Sequence, residues 1–334
     1  MNILITGGAG FIGSHIAEGL VSVNKIRKII IIDNLEDGSK KNLKNIFKYK
    51  KVKLYKKNIN NIKSIEKLFK KIDFVIHLAA LSDVVPSIEN PREYLHTNIV
   101  GTINVLECMR KNNVKNIIYS ASSSCYGNKP KTPTDEKSKI DPKYPYAFSK
   151  YIGEKVIQHY HDIYGLNYVS LRLFNVYGTR SRTNSAYGAA IGVFLRQKIA
   201  KYPFTVIGNG KQKRDFIYVT DVVNLIKKIL NKKLKNEIYN VGANNPKSIN
   251  KLVSILKGKK IYISKRPGEP NITNANINKI TKHYSWKPSI SLEEGLSKIL
   301  NEINYWRSTP LWTTNKIKLA TKYWFKVMSK SKNG

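Results

Sequence analysis

The stretch Thr6-Gly7-Gly8-Ala9-Gly10-Phe11-Ile12-Gly13-Ser14 decides how the rest of this chain is read. It follows an apolar run, Ile3-Leu4-Ile5, and leads into a helical segment, His15 to Val23. Glycines 7, 10 and 13 have three distinct uses. The first permits a tight turn and the second lets backbone N–H groups approach a pyrophosphate. The third lets the helix pack closely on the strand. Phosphates then lie at a helix N-terminus, where unpaired N–H groups and the macrodipole favour negative charge. A second apolar run, Lys28 to Ile32, ends in Asp33, twenty residues after Gly13. At that distance a carboxylate accepts hydrogen bonds from the hydroxyls of an adenosine ribose. Asn34 and Leu35 follow it rather than Arg, so the pattern predicts NAD; Asp33 would repel the 2′-phosphate of NADP.

Outward from this motif, strand-like runs at 2–6, 28–33, 52–56, 73–78, 116–121 and 168–174 alternate with helical segments near 12–23, 64–71, 91–112 and 145–164. The rhythm predicts a parallel sheet with helices on both faces and right-handed crossovers. After residue 175 turns intervene, with a helix near 189–201. A strand and helix from Phe216 to Leu230 and a strand from Ile238 to Val241 then resume the earlier pattern. The expected fold is α/β: a Rossmann-like, doubly wound parallel sheet with a smaller mixed α/β substrate lobe. Residues 1–174 plus about 216–241 form the NAD-binding part. Residues about 175–215 plus 242–305 form the lobe, and 306–334 form a basic tail whose last residues, Ser329 to Gly334, look frayed.

A chain of 334 residues with 41% hydrophobic content can bury a substantial core. No apolar run approaches the ~20 residues needed to span a bilayer. With a strand beginning at the second residue, no signal peptide is expected. Cys108 and Cys125 offer neither a disulfide framework nor a metal-ligand pair, so a reducing cytoplasm and no metal are expected. The net charge of +37 invites a nucleic-acid reading. Only ten of the 59 basic residues are arginine, however, and the lysines are scattered, as at Lys40-Lys41, Lys70-Lys71 and Lys232-Lys233. No arginine-rich helix or aromatic-studded RNA-binding motif stands out, and lysine, asparagine and isoleucine share A/T-rich codons. Nucleic acid is therefore not an expected partner, and the positive field is expected to draw in anionic substrates. In the tail, Ile317, Ala320, Thr321, Trp324 and Met328 fall on one helical face, with Lys318, Lys322 and Lys326 elsewhere. Such a helix suits a membrane surface. The favoured expectation is that Trp306, Trp312 and Trp324 pack the tail onto the body.

Tyr146-Ala147-Phe148-Ser149-Lys150 puts a phenol and an ammonium four residues apart, on one face of a helix that Pro145 starts. A tyrosine of pKa ~10 is a poor base. A nearby lysine cation together with a positive nicotinamide favours the phenolate. Tyr146 then removes a hydroxyl proton while hydride leaves for the nicotinamide. Ser120-Ala121-Ser122-Ser123-Ser124-Cys125-Tyr126-Gly127 follows the strand Asn116 to Tyr119, at a carboxyl end that faces the ligand crevice. Ser122 there is placed to share the same hydroxyl.

These residues, with HLAA at 77–80, Asn98, RLFNVYG at 172–178, RDFIYVTD at 214–221 and RPGE at 266–269, resemble the extended short-chain dehydrogenase/reductase family. The similarity covers roughly residues 1–300. It is to nucleotide-sugar epimerases of the UDP-glucose and UDP-N-acetylglucosamine 4-epimerase type. The resemblance implies that Ser122, Tyr146 and Lys150 are catalytic, with Ser123 assisting. It implies cofactor contacts from Gly7, Gly10, Phe11, Ile12, Gly13, Asp33, Asn34, Asn58, Ile59, Leu78, Ala79, Ala80, Asn98, Tyr146 and Lys150. Ser82, Ser122, Ser124, Tyr146, Asn175 and Thr273 would meet the substrate. Arg214 and Arg266 would grip its diphosphate, as guanidinium geometry suits, and Glu269 would accept from the nucleotide ribose. A homodimer through the helices near 91–112 and 145–164 is implied as well.

Within the family, 4,6-dehydratases carry Asp-Glu where this chain has Ser123 and Ser124. A serine cannot act as the general acid for hydroxyl loss near neutral pH. The resemblance therefore implies epimerisation at C4 through a transient 4-keto sugar, with NAD regenerated in each cycle. The alternative is another sugar-nucleotide enzyme of the family, a 2-epimerase, 4-keto reductase or dehydratase. Thr273, seven residues after Arg266, stands where a bulky tyrosine crowds an N-acetyl group in relatives, so N-acetylated hexoses or their uronic acids are candidates. Asn58 and Asn276 depart from the usual Asp.

Overall fold

The architecture comes from a computed structural model, which describes residues 1–128, 131–181 and 190–329. Seven strands form one sheet in the order Glu237–Val241, Asn167–Leu173, Asn116–Ser122, Phe74–His77, Asn2–Thr6, Lys28–Asp33 and Val52–Lys56. Every neighbouring pair is parallel. Side chains alternate across it with the period of two that strands impose. Ile3, Ile5, Ile29 and Ile31 join a core under the Phe11–Val21 and Val219–Ile229 helices. Leu4, Ile30, Ile32 and Val75 join a second core under Gly101–Lys111 and Pro145–Tyr164. Burial on both faces explains the unbroken Ile29–Ile32 run.

The chain winds one way from Asn2–Thr6 through the next two strands, then the other way from Phe74–His77. Strand order thus reverses between these two neighbours. A crevice opens beyond their carboxyl ends, where open α/β sheets hold ligands. His77 ties the junction together, with Nδ1 2.6 Å from Thr6 Oγ1 and Nε2 3.0 Å from Thr102 Oγ1.

A third core gathers Tyr177, Phe194, Phe204, Leu252, Leu296 and Trp306. It is framed by short pairings: Phe204–Ile207 with Lys260–Ile263, and Lys213–Arg214 with Lys247–Ser248. Two buried carboxylates hold its loops. Asp215 accepts from the backbone N–H of Ala243, Asn244 and Ala275 at 2.8–3.1 Å. Asp221 accepts from Ser289 N, Ser289 Oγ and Ile290 N at 2.9–3.1 Å.

Two helices differ from the sequence reading. The segment near 91–112 is Pro91–Leu95, a wider π turn at His96–Val100, and Gly101–Lys111. The segment near 64–71 starts earlier, at Ile62–Ile65, and tightens over Glu66–Phe69. The helix expected near 189–201 runs Ala190–Ile199. Of the frayed end expected at Ser329 to Gly334, Ser329 caps the last helix with its N–H on Phe325 O at 3.1 Å, and 330–334 lie outside the described residues. The tail packs down as expected: Trp306 donates to Ser181 O at 3.0 Å, and Ile317, Thr321, Trp324 and Met328 bury one face of Thr314–Met328. Among the described residues no helix is long and apolar enough to cross a membrane.

Candidate active site

A cavity of about 780 Å³ runs from the sheet reversal into the third core's territory. Its first half is built by backbone. Gly7, at φ +68°, turns the chain so tightly that a Cβ there would lie 2.8 Å from Ala79 N. A Cβ on Gly13 would lie 2.2 Å from Gly7 O, so only glycine lets the helix start this close to the strand. Gly10 stands at the helix N-cap with no side chain to occupy the first N–H groups. Those donors face the cavity and suit a pyrophosphate. Asp33 is 7% exposed and is aimed by hydrogen bonds from Ala9 N at 2.9 Å and Leu35 N at 2.8 Å. The glycine cradle, the uncapped helix start and the oriented carboxylate fit a dinucleotide. Phe11, Ile12, Asn34, Asn58, Ile59, Leu78, Ala79 and Ala80 line the same half. Asn58 Oδ1 accepts from Asn60 N at 2.9 Å, and Asn276 Oδ1 accepts from Asn278 N at 3.0 Å.

Asn98 is the exception among the expected cofactor contacts. It is buried away from the cavity with both ends of its amide used. Its Oδ1 accepts from Leu81 N at 2.8 Å, and its Nδ2 donates to Leu81 O and Ser149 Oγ, each at 2.9 Å. It fixes the loop after Ala80 to the helix that carries Tyr146 and Lys150.

At the cavity's middle, Ser122 ends its strand and Ser123–Tyr126 turns across it. Ser122 Oγ lies 2.8 Å from Ser124 Oγ and accepts from Ser124 N at 3.2 Å. Tyr146 and Lys150 reach the same space from one turn of Pro145–Tyr164. Burial holds the Tyr146 phenol above its ordinary value, a hydrogen bond with Ser122 pulls it back, and Asp83 pushes it up. Burial brings Lys150 down to about 7, against the pull of Glu154, and its Nζ sits 4.3 Å from the centre of the Tyr119 ring. Desolvation is the largest influence on both groups, so the lowering expected of the phenol depends on the positive nicotinamide as well as on the lysine. Cys125, beside them, is fully buried with its thiol raised to about 12, which makes it packing rather than a nucleophile.

The far half carries Ser82, Asn175, Arg214, Arg266, Glu269 and Thr273. Glu269 is shared by the two cations, 3.0 Å from Arg266 Nη1 and 3.4 Å from Arg214 Nη2. Arg214 also donates to Pro270 O at 2.8 Å, which leaves a preformed double-guanidinium site. Thr273 Oγ1 donates to Asn175 Oδ1 at 3.2 Å. Sequence reasoning missed Tyr144, Asp83, Ile317 and Trp324, which also line the cavity. Tyr144 was findable as the neighbour of Pro145; the two tail residues carry no signal beyond their apolar face. Among the described residues no cluster could hold a metal ion.

The model of the NAD dependent epimerase/dehydratase family matches residues 3–242. A UDP-glucuronate 4-epimerase of Thermodesulfobacterium geofontis is 36% identical over 314 residues, covering 89% of this chain and 94% of its own. Among solved structures, a UDP-N-acetylglucosamine 4-epimerase from Methanobrevibacter ruminantium, in complex with UDP-N-acetylmuramic acid, superposes with a TM-score of 0.83 at 33% identity. That likeness covers 90% of this chain and 98% of the other. A UDP-glucuronic acid 4-epimerase from Bacillus cereus, with UDP-glucuronic acid and NAD, reaches 0.85 at 30% identity, covering 91% and 99%.

Proposed function

The chain belongs to the NAD dependent epimerase/dehydratase family, and from that premise we propose that it inverts C4 of a UDP-hexose with room for an N-acetyl group. One observation carries this reading. Ser122, Tyr146 and Lys150 converge on a cavity that joins a dinucleotide cradle to a double-arginine site, while Ser123 and Ser124 stand where elimination chemistry needs a carboxylate. NAD, when bound, supplies the acceptor that takes hydride from C4 and returns it, together with a positive nicotinamide ring. Gly7, Gly10 and Gly13 hold its pyrophosphate, Asp33 its ribose, and Lys150 the nicotinamide ribose side.

Tyr146 takes the C4 hydroxyl proton in the forward half-cycle and gives it back in the return. Ser122 hydrogen-bonds the same oxygen, kept in place by Ser124. Because burial alone disfavours the phenolate, Tyr146 is a base only beside added positive charge. Arg214 and Arg266 hold the diphosphate while the sugar turns to present its other face. Binding energy is thus placed away from the reacting carbon. Small Thr273, tied to Asn175, leaves space for an N-acetyl group.

A homodimer is part of the proposal. Val100, Phe148, Ile163 and Tyr164, 39–60% exposed, lie on the helices that would pair. The two buried free thiols suit a cytoplasmic setting, and the product suits polysaccharide biosynthesis. The test is proton NMR of the purified protein with UDP-, dTDP-, GDP- and CDP-sugars and no added nicotinamide. C4 inversion of a UDP-hexose is expected. Turnover only once NADPH is supplied, with stoichiometric consumption of it, or loss of water from the sugar, would overturn it.

A further inference from the structure

We propose that Trp324 is a positioning residue for the substrate-anchoring loop at 265–270, and that the Thr314–Met328 helix is a strap walling the far end of the cavity. The inference rests on the reading of Arg266 and Glu269 as substrate anchors.

The loop turns once, at Pro267-Gly268, with Gly268 at φ +78°. On the cavity side it is held by the charged contacts of Glu269 and by Arg214 on Pro270 O. On the opposite side the strap holds it. Trp324 is 3% exposed, and its Nε1 donates to Pro267 O at 2.9 Å, one residue from Arg266. The Met328 methyl fills the space beside Gly268, 2.7 Å from where a Cβ would stand.

The same tryptophan touches the reacting half. Its ring centroid lies 6.3 Å from that of Tyr144, two residues before Tyr146, and it packs with Val85 against the segment that follows Ser82. The strap's other end is fixed across the third core: Arg196 Nε donates to Thr309 O at 2.9 Å and Gln197 Nε2 to Trp312 O at 2.7 Å. Trp324 and Ile317 themselves form part of the cavity wall. The strap thus links loop 265–270, the Tyr144 end of the catalytic helix and the Val84–Glu89 helix through one indole.

If losing the indole leaves the loop correctly placed about a tenth of the time, affinity for the nucleotide falls about tenfold. The Tyr146–Lys150 chemistry stays intact, so KM rises about tenfold and kcat changes less than about twofold. The experiment uses the NAD-loaded enzyme, with UDP as the calorimetric probe and the epimerisation rate as the second readout. Trp324→Ala should show the tenfold loss with unchanged NAD content. Trp324→Phe keeps the wall but not the N–H, and should lose about threefold, the partial loss expected of one neutral hydrogen bond. Met328→Ala supplies the reading if Trp324→Ala does not fold, with an expected loss of the same order as the phenylalanine variant. UDP affinity and KM unchanged in the folded variants overturn the proposal. A wild-type enzyme that binds no UDP and inverts no UDP-sugar overturns the functional reading beneath it.

Discussion

Replacing Glu154 by glutamine should damage stability and pH response together, because one carboxylate serves both. Glu154 is fully buried and Arg172 is 3% exposed. Three contacts join them: Nε to Oε1 at 3.0 Å, Nε to Oε2 at 3.2 Å and Nη2 to Oε2 at 2.8 Å. Although burial works against its charge, Glu154 holds the guanidinium well above its ordinary value. An amide cannot neutralise it, and a lone buried cation costs about 3–5 kcal/mol. At ~2 °C per kcal/mol for a chain of this size, the melting point should fall roughly 6–10 °C. One turn away, Lys150 loses the group that sustains its proton and moves below its present value of about 7. A protonated Lys150 supports the phenolate, so the falling limb of the pH–rate profile should shift toward acid. Thermal unfolding and initial rates from pH 5 to 10 measure both effects. Adding Arg172→Met removes the stranded charge, and the double variant should recover part of the lost stability, as a double-mutant cycle would reveal. A Glu154→Gln protein that melts within ~1 °C of wild type, with an unmoved limb, would refute the reasoning.

Gly13→Ala should yield protein without NAD, since the new methyl would meet Gly7 O at 2.2 Å; cofactor released on denaturation measures this, and full loading would count against the cradle. Tyr146→Phe should lower kcat by ~10²–10⁴-fold while UDP still binds; retained turnover by NMR would remove its assigned role. His77 is held neutral, its pKa brought down to about 3 by burial and Lys150. The unfolded imidazole binds a proton below pH ~6.5 and the folded one does not, so stability drops as pH falls from there, by ~1.4 kcal/mol per pH unit. Urea unfolding of His77→Asn should show a slope shallower by that amount; parallel curves would locate the acid sensitivity elsewhere.

The Rossmann-like half was legible because its signals are local. The Pro145–Tyr164 helix matches its expected bounds since Pro145 opens it and Gly165, at φ +65°, closes it. The strands beginning at Asn2, Lys28 and Val52 carry their own apolar patterns. The pairings around the third core were not legible, because strands of two to four residues have no periodicity to read. Motif residues line the cavity where the motif itself bends into it, as with Gly7–Gly13, Ser122 and Arg214. In RDFIYVTD Arg214 and Phe216 reach the cavity, while Asp215 and Asp221 spend their carboxylates on distant backbone. Asn98 lies off the cavity wall, held by Leu81 and Ser149, which are 17 and 51 residues away and beyond the reach of a local pattern. The desolvation of Tyr146 and Lys150 was not legible for a related reason. Spacing reveals a cation beside a phenol, but only packing reveals how dry both are.

The four isoleucines at 29–32 are silent once the sheet has closed over them. In a nascent or heat-unfolded chain they form a short, uncharged segment of high β-propensity, the composition that stacks into intermolecular fibrils. Arg27 and Lys28 stand before them and Asp33 after, placed as gatekeepers against self-association. The carboxylate proposed to meet the cofactor's ribose thereby also punctuates the stickiest part of the polypeptide, and exchanging it for an apolar residue would be felt first as precipitation during expression.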